Sequence, residues 1–226
     1  MQLSIIVPML NEEPGIVRTL DALRAAAPRA EIIVVDGGSH DLSVPLAHPH
    51  ADRVIDGPRG RARQMNLGAR DSHGDVLAFV HADTVVPPTF ALDIETALRD
   101  PAAVGGRFDV ALDHDTFIFR LIGALISVRS RASRTGTGDQ ALFVRRSVFE
   151  RLGGYREIDI CEDLDFARRL KREGRIACVR SRVITSARRW REHGVARTVL
   201  TMWAIRVAFL CGVPPARLKR HYADIG

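Results

Sequence analysis

The 226-residue sequence is poor in cysteine, lysine and aromatics, and each shortage excludes something. Three cysteines, Cys161, Cys178 and Cys211, lie far apart and form no CxxC pair. That argues against a structural zinc site or a disulfide framework, and fits a reduced, cytoplasmic setting. No basic leader with a cleavage site precedes the first apolar run, so no signal peptide is expected. The longest apolar stretches each contain an arginine and are short for a membrane span. No GxGxxG follows the first strand and no GxxxxGK[ST] occurs, which excludes a dinucleotide fingerprint and a P-loop. Aromatics make up 6% of the chain, too few for the aromatic interleaving of a nucleic-acid-binding module.

Only two of the 33 basic residues are lysine. Codon bias explains that, and so do arginines that grip phosphate bidentately. The charge is unevenly placed. Residues 1–100 carry 9 Arg against 14 acids, a net −5, and residues 101–226 carry 24 Arg or Lys against 13 acids, a net +11. The split suggests an acidic site in the first half facing a cationic second half. With 46% apolar residues the chain is long and apolar enough for one domain with a sizeable core.

Residues 3–7 (LSIIV) read as a buried strand stopped by Pro8, and residues 31–35 (EIIVV) as a second. Residues 53–55 form a short third strand and 75–80 (DVLAFV) a fourth, with helices near 16–23 and 61–69. Alternating strands and helices predict a parallel α/β sheet covered on both faces. After residue 100 the alternation breaks down. Residues 116–128 and 195–211 read as apolar helices, expected mainly in the core. An apolar acceptor groove or a membrane-surface face beside arginines is the other reading. Strands are predicted at 141–144 and 176–179, and a helix at 163–173 stopped by Gly174.

Polar clusters fall at the C-terminal ends of three strands, the edge where open α/β sheets bind ligands. Asp36 in VVDGGSHD can accept hydrogen bonds from a base or ribose, or serve a tight turn. His81-Ala82-Asp83 can present two side chains to a divalent cation on a diphosphate; His81 favours manganese. Glu162-Asp163 suits either a helix N-terminus or a general base. Arg61 in GRARQMN and the SARRW run at 186–190 can hold phosphate, or be a solvated helix start and a loop anchor.

In order, SIIVPMLNEE, VVDGGSHD, GRARQMNLGA, DVLAFVHADT, GDQALFVRRSVFERLGGY, EDLDFARRLKREG and SARRW resemble a family 2 glycosyltransferase. The resemblance covers about residues 3–192. It implies an α/β GT-A (Rossmann-like) mixed sheet, with residues 1–100 as the nucleotide-sugar half and 101–226 as the acceptor half of one domain. It implies that Pro8, Asn11, Glu12, Asp36, Arg61 and Asn66 contact the nucleotide. Asp139 falls where donor sugar and acceptor meet, and Arg189 and Trp190 end a QxxRW-like motif. Asp83 would ligate Mg²⁺ or Mn²⁺, with His81 and His193 as further candidates. Asp163, beside Glu162, matches the catalytic base of inverting members.

The sequence also departs from the family pattern. Gly37 replaces the second acid of DDGS, His81 the first acid of DxD, and Ser186 the Gln of QxxRW. A small, non-processive enzyme moving one sugar is the reading that follows. Its partners are a nucleotide-diphosphate sugar and an unidentified acceptor, lipid-linked or apolar, with no nucleic acid. The expected location is cytoplasmic, with peripheral membrane association open. A sugar-phosphate nucleotidyltransferase needs a Gly- and Lys-rich first loop, unlike PMLNEE. A donor-binding protein without catalysis and a basic nucleic-acid binder also stay open at this level.

Overall fold

The computed structural model describes residues 1–222, except for the side chains of Arg189, Arg220, His221 and Tyr222. The first 85 residues alternate β1 (Leu3–Met9), α1 (Ile16–Ala26), β2 (Glu31–Asp36), α2 (Ser43–Ala47), β3 (Arg53–Asp56), α3 (Arg61–Asp71), β4 (Val76–Phe79) and a short β5 (Thr84–Val85). Strands β3, β2, β1 and β4 lie side by side and parallel. Every residue of β1 and β4 is buried, as the continuous apolar runs predict.

Pro8 does not stop β1, which runs on to Met9. Ile6 accepts a bond from the Val80 N–H, so Pro8, two residues on, faces the same side. The β1–β4 register ends at Ile6 and Phe79, so the missing proline N–H falls where the ladder has already ended.

The second half is a mixed sheet. It comprises α4 (Phe90–Leu98), β6 (Ala103–Leu112), α5 (Phe117–Ser133), a 3-10 turn at Gly138–Gln140, β7 (Leu142–Arg145), α6 (Arg146–Arg151), α7 (Glu162–Glu173), β8 (Arg175–Thr185), α8 (Arg188–His193), α9 (Val195–Leu210) and α10 (Pro215–Tyr222). The eight strands run β3-β2-β1-β4-β7-β6-β8-β5 in one sheet. Strand β7 is antiparallel to both β4 and β6, β6 and β8 are parallel, and β5 is antiparallel to β8. The two sequence halves therefore share one sheet, through β4–β7 and β5–β8.

Strand β6 escapes the sequence reading because Gly105, Gly106, buried Arg107 and buried Asp109 break its apolar run. Strand β8 extends past residue 179 because the register with β6 jumps there: Phe108 pairs with Val179 and Asp109 with Arg182. The bulge hides the continuation from a period-2 pattern.

Two apolar layers sandwich the sheet. The few aromatics concentrate there. Phe79, Phe149, Tyr155 and Phe166 form one cluster, with Tyr155 and Phe166 4.4 Å apart, and it seats α7 on the sheet.

The core assignment of the two apolar helices is corrected. Helix α5 buries Phe119, Ile122 and Ile126 but exposes Phe117, Ile118, Leu121, Leu125 and Val128. Helix α9 buries only Thr198 and exposes Leu200, Met202, Trp203, Val207 and Leu210. Each carries apolar side chains on more than one face, and the sheet covers at most one. Among the described residues no helix is long and apolar enough to cross a membrane.

Candidate active site

A cleft of about 830 Å³ opens over the C-terminal ends of β1 and β4. Pro8, Glu12, Arg61, His81 and Asp83 line it from the first half. Asp139, Glu162, Asp163, Trp190 and His193 line it from the second. Ten of the sequence-derived candidates thus share one cavity.

Three others do not line it. Asp36 is buried and holds its own turn: Oδ2 accepts the N–H groups of Gly38 and Ser39 at 2.9 Å, and Oδ1 accepts the Ser39 hydroxyl. Asn11, at a φ of 53°, pins the neighbouring loop; its Oδ1 accepts the His40 N–H and its own N–H reaches Ser39 Oγ. Asn66 spends its whole amide on the backbone of Tyr155, donating to the carbonyl and accepting from the N–H at 2.8 Å each. For Asp36 the tight-turn role is the one observed. Arg189 lies in α8, and its side chain is outside the described residues.

Gly37 has a local partner. Gln64 is buried and donates from Nε2 to the carbonyls of Met9 and Val35, both at 2.8 Å. A Cβ on Gly37 would sit 3.0 Å from that nitrogen. The amide clamp tying the ends of β1 and β2 together therefore crowds the space an acid at position 37 would need.

The cleft contains two electrostatic groups. At the β1 end, burial pushes the carboxyls of Glu12 and Asp83 above their ordinary ranges. Arg188 pulls both back in part, and Asp83 adds to the rise at Glu12. Arg188 reaches Glu12 at 3.5 Å, a contact the sequence reading missed because it chose Arg189 of the same run. Glu162, buried at the start of α7, faces Arg61 at 3.7 Å; burial raises its carboxyl despite that cation.

The second group surrounds Asp163. Its Oδ2 accepts the Gly138 N–H and its Oδ1 the Leu164 N–H, both at 2.7 Å. Asp139 follows Gly138; one of its oxygens is buried without a partner, and burial raises its carboxyl, with Asp163 adding to the rise. Arg129 of α5 and Arg206 of α9 face this pair, and burial lowers the pKa of both guanidiniums. Neither arginine was singled out from the sequence, where both sit inside apolar helices.

Cys161 precedes α7 in a left-handed conformation, φ 63°. Burial and the adjacent carboxylates Asp163 and Glu162 push its thiol up to about 12. A thiol held protonated in this way is not a nucleophile at neutral pH.

Among the described residues no three His, Cys, Asp or Glu side chains converge as a ready metal cage. Asp83 is nonetheless a desolvated carboxylate beside the carboxylate of Glu12. That pairing suits a hard cation whose remaining ligands come from a diphosphate.

Residues 4–155 match the family described as Glycosyl transferase family 2. The chain belongs to that family. It is 27% identical over 197 residues to the probable glycosyltransferase YdaM of Bacillus subtilis (strain 168), covering 75% of this chain and 46% of the relative. It is 34% identical over 90 residues to the uncharacterized glycosyltransferase EpsJ of the same organism, 37% of this chain and 26% of the relative. The chain thus spans less than half the length of these curated relatives. Among solved structures, S. aureus TarS 1-349 in complex with UDP-GlcNAc aligns at TM-score 0.67 and 16% identity, over 82% of this chain and 58% of that one. The mannosyltransferase PcManGT from Pyrobaculum calidifontis, in complex with GDP-Man and Mn²⁺, aligns at 0.67 and 22% identity, over 92% and 61%. These likenesses establish the GT-A fold.

Proposed function

We propose that the chain transfers one sugar from a nucleotide-diphosphate sugar to an acceptor hydroxyl, with inversion at the anomeric carbon. The observation that carries this reading is the single cleft with Glu12, Asp83 and Arg188 at one end and Asp163 at the other. Neighbours of the same fold, crystallised with UDP-GlcNAc and with GDP-Man and Mn²⁺, support a donor of that class.

The nucleoside lies against the β1 end, beside Pro8 and Glu12. Arg61 and Arg188, with Trp190 of the same run, face the diphosphate. Asp83 would hold Mg²⁺ or Mn²⁺, with His81 and His193 close by; bound there, the ion offsets the charge growing on the departing diphosphate. Glu162 holds Arg61 in place. Asp163 takes the proton from the acceptor hydroxyl as its oxygen bonds to the anomeric carbon. The bond between that carbon and the diphosphate oxygen breaks, and the nucleoside diphosphate leaves with the electron pair. Asp163 has lone pairs left for the proton after its two backbone bonds.

The acceptor reading follows from α5 and α9. Ile126 and Arg129 of α5 and Met202, Ile205 and Arg206 of α9 line the cleft, both helices leave apolar side chains exposed, and neither contains an acid, while α5 carries Arg120, Arg129 and Arg131 and α9 carries Arg197 and Arg206. That pairing suits peripheral contact with an anionic lipid surface and an apolar or lipid-linked acceptor.

The test is a thermal-shift panel of UDP-, GDP- and dTDP-sugars with Mg²⁺ or Mn²⁺, followed by mass spectrometry of donor turnover. One donor should raise Tm and be consumed. Absence of any shift across the panel would remove the transferase reading.

A further inference from the structure

Most half-buried arginines of this chain are spoken for. Arg107 and Arg131 share Asp109 and Arg169 pairs with Asp165, so each charge has a carboxylate against it even though Nε and Nη2 of Arg107 stay unpartnered. Arg145 and Arg146 donate to backbone carbonyls. Arg129 and Arg206 differ. The Arg129 side chain makes no hydrogen bond or ion pair among the described residues, and its Nε is buried without a partner. Arg206 makes one long bond, 3.4 Å, to the Thr135 hydroxyl. Desolvating a guanidinium is costly unless something anionic compensates it. Asp139 and Asp163 supply some attraction from a distance, but Asp139 keeps an unpartnered oxygen rather than closing on Arg129. The groups stand open around a space instead of pairing across it.

That space is on the acceptor side. The cations that act on Asp83 and Glu12 are Arg188 and Arg61, while Arg129 and Arg206 act on Asp163 and its neighbours. Arg206 also lines a second hollow of about 440 Å³ together with Arg168, Lys171 and Arg172, and no acid among the described residues lines it. Cationic surface thus continues from Asp163 outward, away from the donor end.

We propose that Arg129 and Arg206 form an anion subsite beside Asp163, so that the acceptor carries a phosphate group as well as the hydroxyl that receives the sugar. The inference rests on the transferase reading above and adds the chemical class of its acceptor. The phosphate is a handle. It compensates the two guanidiniums and holds a hydroxyl elsewhere on the same molecule against Asp163. Glycerol phosphate has this chemistry, free in water or as a phospholipid headgroup.

The experiment is arginine footprinting of the full chain with phenylglyoxal, read by peptide mass spectrometry. Four additions are compared: glycerol 3-phosphate, phosphatidylcholine vesicles, vesicles with one-fifth phosphatidylglycerol, and UDP or GDP alone. Modification of Arg129 and Arg206 should slow at least fivefold with glycerol 3-phosphate if the acceptor is free. It should slow only with the phosphatidylglycerol vesicles if the acceptor is a lipid. Exposed Arg120 serves as the site that free glycerol 3-phosphate leaves unprotected. Calorimetry of the Arg129→Gln/Arg206→Gln double variant should show at least a tenfold weaker glycerol 3-phosphate or vesicle affinity, with the nucleotide-sugar thermal shift retained. Three results would overturn the proposal: no protection by either phosphate source, equal protection by UDP or GDP alone, or unchanged affinity in the double variant. Protection without any nucleotide-sugar shift would uphold the anion site and defeat the transferase reading instead.

Discussion

The backbone N–H of Gly138 donates to Asp163 Oδ2 at 2.7 Å, while the His81 ring packs against the α-carbon of the same glycine. The end of β4 and the start of α7 therefore meet across one residue without a side chain. A Cβ at position 138 would lie 2.5 Å from His81 Nε2. Gly138→Ala must push that ring or the Asp163 contact aside. Transfer should fall by about tenfold or more, the cost of a small misplacement of reacting groups, with donor affinity within about threefold. Steady-state kinetics beside donor titration measures both.

Asp163→Asn keeps the shape and removes the base. Transfer should drop by about 10²–10⁴-fold, the range of general-base contributions, with the donor thermal shift retained. Wild-type turnover in this variant would take the base role away from Asp163.

Asp109 is buried and accepts from Arg107, itself fully buried, and from Arg131. Asp109→Ala strands the Arg107 charge inside β6. It should destabilise the chain by about 3–5 kcal/mol in urea unfolding. Arg131→Ala, which removes the more exposed partner, should cost much less.

Asp139 titrates above the ordinary aspartate range because burial disfavours its charge. The folded chain therefore holds this proton more tightly than the unfolded chain. Stability from the group is greatest below the ordinary aspartate value and falls as pH rises toward the raised one. Asp139→Asn should raise Tm at pH 7 and flatten the Tm profile through that interval. A lower Tm at pH 7 would contradict it.

Trp203 and Phe117 are half or more exposed, at 51% and 74%. The double variant Trp203→Ser/Phe117→Ser should weaken sedimentation with phosphatidylglycerol vesicles by at least tenfold, since each lost apolar contact is worth about 1.5–3 kcal/mol. Its unfolding midpoint should barely move. Salt should weaken the wild-type interaction, through the arginines of α5 and α9.

The first half was legible because β1, β2 and β4 are buried on both faces and read as unbroken apolar runs. Strand β6 was not, because its interior holds the Arg107–Asp109 pair, whose compatibility with a core depends on a long-range fit. At the site, Asp83 and Asp163 stood out from their places at element ends, and Glu12 through the family resemblance. The structural role of Asn66 was not legible because its partner, the Tyr155 backbone, is 89 residues away. Arg129 and Arg206 were passed over because an arginine in an apolar helix looks like a concession to solubility. Only the cleft shows what they face.

Arg145 and Arg146 are consecutive, yet they tie down different parts of the chain. Arg145 donates to the carbonyls of Leu98 and Ala103, and Arg146 to those of Ala69 and Gly74 and to Ser72 Oγ. Planar forks suit this double grip, which a lysine could not reproduce. The dipeptide sits at the end of β7, the strand joining the two sequence halves. The two sequence halves are thus riveted at a common seam about 16 Å, one length of α3, from Arg61. We expect any opening of the cleft to involve its rim, α8 to α10 and the 156–161 loop, rather than a hinge between the halves.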